Sequence, residues 1–215
     1  MGHMTVQRFI PIAAVFALAA CGQGAGSGDS GSGDVGSPPG GGTTDSVLYQ
    51  GALTVLQDAE GEVPELCGVV AESYPPQCAG LPVSGWDWDS VEHEEASGVR
   101  WGSFLVTGSF DGESLVLTEE PVPTAEIDMA DYPDLQYTEP EIGEPAEDLS
   151  VEELQAIADE LVAEFPVYVV GGWADEQNGV ALVDALLVTP ELEAYVQERF
   201  PEGTVAFSQM LKPVE

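Results

Sequence analysis

The chain has 215 residues, 44% of them hydrophobic, which allows one domain or two small ones around a buried core. Its 39 Asp and Glu against 4 Lys and Arg give a formal net charge of -35. That field repels nucleic acid and anionic lipid headgroups, both of which are gripped through Lys and Arg, so any membrane attachment has to be covalent or apolar.

Residues 1–21 read MGHMTVQRFIPIAAVFALAAC. Arg8 precedes an apolar run from Phe9 to Ala20. As a helix this run rises only about 18 Å, against a hydrocarbon core of about 30 Å. The pattern predicts a signal-peptide core and not a membrane span. Leu18-Ala19-Ala20-Cys21 resembles the lipobox of bacterial lipoproteins. The resemblance implies removal of residues 1–20, a diacylglyceryl group on the Cys21 sulfur, and anchoring on the extracytoplasmic face of the cell membrane. Residues 21–44 then comprise the lipidated cysteine and a tract of Gly, Ser, Pro and Asp that has too little apolar surface to fold. Such a tether spans about 25–30 Å.

Residues 45–118 are expected to form a β-rich domain. Val47–Gln57 alternates apolar residues at the strand period, and Val99–Thr107 reads as a second strand. Gly108 to Gly112 reads as a hairpin turn leading to a partner strand, Ser114–Thr118. Val63–Ala71 and Leu81–Trp88 read as shorter extended pieces, the latter with Trp86 and Trp88 on one face and Asp87 on the other. About five strands with long loops predict a small disulfide-containing β-barrel or OB-like domain. Residues 119–148, rich in Pro and acids, read as a linker, with Ile127, Met129, Tyr132 and Leu135 available to dock on a neighbour.

Residues 149–215 carry sharper signals. Ser150-x-x-Glu153 is a capping box ahead of an apolar helical face from Val151 to Phe165, and Pro166 ends that helix. Val167–Gly172 is a strand, Trp173–Gly179 a turn, and Val180–Val188 a returning strand. Thr189-Pro190-Glu191 opens a second helix, which Pro201-Glu202-Gly203 closes before a last strand, Thr204–Met210. The expectation is an α-β-β-α-β sandwich with both helices on one face and its last two strands parallel, so the fold class is α+β.

Cys67 and Cys78 are expected to pair outside the cytoplasm, which leaves Cys21 for the lipid. Neither a C-x-x-C redox pair nor a zinc ligand set is spelled out, and no metal or cofactor is expected. Tyr74, Trp86, Trp88 and Trp101 are the candidate ligand-binding residues, as an aromatic surface for a sugar or a peptide; core packing is the competing reading. His93 lies in an acidic loop, and no catalytic residue is assigned.

The order SYPPQC, GWDW, Arg100-Trp101-Gly102 and Thr107-Gly108-x-Phe110-Asp111-Gly112 resembles a set of uncharacterised actinobacterial lipoproteins, which implies localisation but no activity. Trp173-Ala174-Asp175 with Asn178-Gly179-Val180 is similar to prodomains of secreted serine proteases of the alpha-lytic type, implying an inhibitor-like or docking role. A tight turn at Asn178-Gly179 is the plainer reading. The leading expectation is a non-catalytic lipoprotein that binds or scaffolds an envelope protein or glycan. The alternative is a hydrolase of cell-wall or extracellular polymer acting through carboxylates that no motif singles out.

Overall fold

The structure, a computed structural model, describes residues 47–59, 61–140 and 142–214. The expected signal peptide and tether, with Cys21, lie outside the described residues. The first part of the chain forms β1 (Leu48–Gln57), β2 (Glu65–Cys67), β3 (Leu81–Ser84), β4 (Glu94–Ala96), β5 (Val99–Phe110), β6 (Leu115–Leu117) and β7 (Val122–Pro123). Strands β1, β2, β3, β6 and β5 close in that order into a five-stranded barrel. β1 pairs antiparallel with β5 from Leu48 opposite Ser109 to Gln57 opposite Arg100, while β3 and β6 run parallel. β4 and β7 attach to β5 outside this circuit. Period-two alternation sends Val55, Leu66, Val83, Phe104, Val106 and Leu115 into one buried cluster. The Cys67–Cys78 disulfide closes the loop between β2 and β3, with Cα atoms 5.9 Å apart.

Two local expectations are corrected here. The segment Gly108 to Phe110 stays in β5, and the chain reverses one step later. There the Asp111 carboxylate accepts the N–H groups of Glu113 and Ser114 at 2.9 and 2.8 Å, and Gly112 supplies a φ of +108°. The extended segment also ends at Ser84 and does not reach Trp88. Gly85 turns the chain at a φ of +85°, and Asp87 caps a single helical turn, Trp88–Ser90, by accepting the Asp89 N–H. Trp86 and Trp88 therefore do not sit as alternate residues of a strand.

The second part forms α1 (Val151–Glu164), β8 (Val169–Asp175), β9 (Val180–Ala185), α2 (Pro190–Arg199), β10 (Val205–Gln209) and β11 (Lys212–Val214). The capping box is made in full: the Ser150 hydroxyl accepts the Glu153 N–H at 3.3 Å, and the Glu153 carboxylate accepts the Ser150 N–H at 2.9 Å. Thr189 caps α2 by accepting the Leu192 N–H at 3.2 Å, with Pro190 as the first helical residue. β8 and β9 are antiparallel, and β10 runs parallel to β9. Ile157, Ala158 and Leu161 of α1 meet Leu192 of α2 against Val169 and Val183 in one cluster. Tyr195 joins the helices, donating to Glu160 at 2.8 Å while Arg199 pairs with the same carboxylate at 2.7 Å.

The helix–strand–strand–helix–strand order is thus present, but the expected sandwich layout is not. After β10 the chain continues into β11, which pairs with β1 of the barrel sheet, Leu48 opposite Val214. Leu186, Leu187 and Leu211, which flank β9 and β10, fill the barrel cluster and not the helix-facing one. The three-stranded sheet and the barrel belong to one compact unit. The fold is α+β with a small disulfide-containing barrel whose core draws on both parts of the chain.

Candidate functional site

The four aromatic residues singled out in the sequence separate into two pairs. Trp88 is 6% exposed and belongs to the barrel core, so it cannot present a ligand surface. Trp86 is half-buried against it, 5.1 Å between ring centroids, and 4.9 Å from Phe104. The physical reason is volume: Gly102 has no side chain, and a Cβ there would come within 2.6 Å of the Phe104 ring. Phe104 thus packs against Gly102, and the two indoles meet its ring at steep angles. Trp101 has the opposite parity on β5 and turns outward, half-buried. Tyr74, 80% exposed in the disulfide loop, meets it edge-to-face at 5.9 Å.

The other flagged residues take plain roles. His93 is exposed, with Nδ1 3.1 Å from the Val91 carbonyl and its ring 5.0 Å from Trp88. Among the described residues, no three His, Cys, Asp or Glu side chains gather in a metal-holding arrangement. The Asn178-Gly179 stretch is a turn: the Asp175 carboxylate accepts the N–H groups of Gln177 and Asn178 at 3.0 and 3.2 Å, and Gly179 has a φ of +69°. Those bonds, led by the Asn178 side chain, hold the Asp175 carboxyl below the usual carboxylate range.

A concavity lies elsewhere, on the face of the three-stranded sheet that the helices leave open. Ala181 and Val183 of β9 are buried among the helices, so Leu182 and Asp184 take the other face. Register places Trp173 of β8 opposite Leu182 and Ser208 of β10 opposite Asp184. Ala52 and Leu53 of β1 and the segment Leu135–Thr138 line the same concavity. Together they bound a groove of about 390 Å³, with Lys212 of β11 at its lining. A second concavity of about 620 Å³ shares Leu135 and Lys212 with it and takes in Gln50, Asp134 and Val214. Trp173 is 44% exposed and Tyr137 70% exposed.

The groove was only partly readable beforehand. Leu135 was expected to dock, and it is half-buried, as are Ile127, Met129 and Tyr132. The sequence pattern makes Trp173 a turn residue, whereas it lies inside β8, and Tyr137 and Lys212 carry no local signal. They come together only because β11 returns to β1, a pairing that a three-residue strand containing Pro213 does not announce. The lining combines two aromatic residues, an aspartate, hydroxyl residues and a lysine with apolar side chains, the composition of a small-ligand site. No family model, curated protein or solved structure matches this chain.

Proposed function

We propose that this chain is an exported bacterial lipoprotein, cleaved before Cys21 and held through that residue on the extracytoplasmic face of the membrane, whose folded body binds an envelope component without transforming it. The anchor rests on the sequence: the short apolar run, Leu18-Ala19-Ala20-Cys21, and the Gly/Ser tract behind it. The pairing of Cys67 with Cys78 supports the same reading, since it suits an oxidising compartment and leaves Cys21 free for acylation. The barrel itself we read as OB-like, a frame whose loops and faces serve binding in many unrelated proteins. The observation that carries the binding reading is the open groove with Trp173 and Tyr137 exposed at its lining.

Cell fractionation of the wild type and Cys21→Ala tests the anchor. The wild type should partition with membranes as a cleaved, acylated protein, and the variant should be secreted or remain an uncleaved precursor. Normal cleavage and membrane retention of Cys21→Ala would overturn the anchor. Crosslinking the wild type and Trp173→Ala in intact cells tests the binding role. Envelope adducts are expected with the first and reduced with the second; identical adduct patterns would remove the groove from the account.

A further inference from the structure

We propose that the groove beside Trp173 is a glycan site, taking an oligosaccharide of otherwise neutral sugars that carries a carboxylate substituent. This deepens the binding reading above and rests on it. The lining sets the class. Trp173 and Tyr137 are large, rigid and exposed, and the C–H faces of hexose rings pack on such aromatic surfaces while their hydroxyls stay hydrogen-bonded. Asp184 and Ser208 stand side by side on β9 and β10, a carboxylate acceptor and a hydroxyl able to donate or accept. The groove's volume of about 390 Å³ falls within the range of small-ligand sites, about 300–1,000 Å³.

An extended peptide suits the place less well. Peptides add to sheets by pairing with an open strand edge, and two of the edges here, β8 and β11, are blunted. Beside Trp173, the Ala174 N–H is already taken by the Gln155 side-chain oxygen at 3.2 Å. β11 spans only Lys212–Val214, and Pro213 withholds one of its donors. What the groove presents is side chains on a sheet face, which reads the surface of a ligand and not its backbone.

Charge fixes the substituent. A molecule of formal charge -35 repels a polyanion such as a phosphodiester polymer. Arg100 is paired with Glu95 at 3.4 Å and Arg199 with Glu160 at 2.7 Å. Lys212 makes no ion pair among the described residues, and it lines both concavities. Asp184 and Asp134 line the same space, so the site as a whole is not cationic. One carboxylate on the ligand, placed at Lys212, is the anionic charge the groove can accept.

Titration calorimetry on the full chain in detergent micelles tests this with three probes. These are the neutral N-acetylglucosamine tetramer, the same tetrasaccharide with one sugar bearing a lactyl carboxylate, and a soluble polyglycerol phosphate. The carboxylated sugar should bind about fivefold more tightly than the neutral one, and the phosphate polymer should not bind. Trp173→Ala and Tyr137→Ala should each weaken both sugars by about tenfold. Lys212→Met should bring the two sugars to equal affinity, with unchanged circular dichroism showing that each variant is folded. If neither sugar saturates, or if the phosphate polymer binds best, the glycan assignment is overturned; equal binding of the two sugars overturns the carboxylate. Micelle binding does not depend on where Cys21 is cleaved, so its failure and a failure of the anchor are read separately.

Discussion

Trp88 brings into the barrel core an indole N–H that meets no acceptor among the described residues, and half-buried Trp86 does the same beside it. A buried donor left without a partner costs about 1–3 kcal/mol, so these two rings are held for their shape and area and against their polarity. The consequence is measurable by urea unfolding. Trp88→Phe keeps an aromatic ring over Phe104 and removes the orphan donor, so it should cost less than about 1.5 kcal/mol. Trp88→Ala empties the same space and should cost about 3–5 kcal/mol. A loss above about 2 kcal/mol in Trp88→Phe would mean that the N–H is bonded in solution. The exposed residues make the opposite case: Trp173 and Tyr137 contribute little to the core, and their replacement by Ala should leave the unfolding midpoint nearly in place.

At the level of elements, stability is unevenly distributed between sequence-local and long-range devices. The disulfide joins residues 11 apart across the loop between β2 and β3, and the paired change Cys67→Ser with Cys78→Ser should cost about 2–3 kcal/mol in the same assay. The α1 cap has a pH signature. Hydrogen bonds from the Ser150 side chain, and then from its backbone N–H, hold the Glu153 carboxyl below the usual range. A depressed carboxylate stabilises the fold above its unfolded pKa, and that contribution is lost as pH falls through the lower folded value. Ser150→Ala should therefore lower the thermal midpoint more at about pH 7 than at about pH 3; a pH-independent difference would show that the carboxylate takes no part in the cap.

The same division explains what could be read in advance. Both helices, their caps and β1 were legible because Ser150, Thr189, Pro190 and the alternation around Val55 act within a few residues. Pairing of β9 with β10 followed from the helix between them. β4 was hidden in an acidic stretch, where the two-residue turn Ser97-Gly98, with φ of 54° and 85°, folds Glu94–Ala96 back onto β5. β11 was hidden in a tail of no clear pattern. The groove depends on that tail, so its residues could not be assembled from local signals.

For the molecule as a whole, the governing quantity is repulsion. Against a formal charge of -35, the described residues contain two ion pairs, Arg100–Glu95 and Arg199–Glu160, each with substantially exposed side chains. Exposed pairs contribute about 0–1 kcal/mol each and cannot offset a like-charged surface of this density. Folding brings these carboxylates closer together than in the expanded chain, so the compact state bears the larger repulsive cost. Salt removes that cost: the screening length falls from about 30 Å at about 0.01 M to about 3 Å at about 1 M. The thermal midpoint should therefore rise across that range by about 3 °C or more, to similar extents in sodium and in choline chloride. A rise with micromolar Ca²⁺ at fixed ionic strength would point instead to carboxylates that hold a cation. A midpoint that stays flat or falls with salt would mean that the acids are spaced widely enough to ignore one another, and the surface charge would then serve solubility without a penalty to the fold.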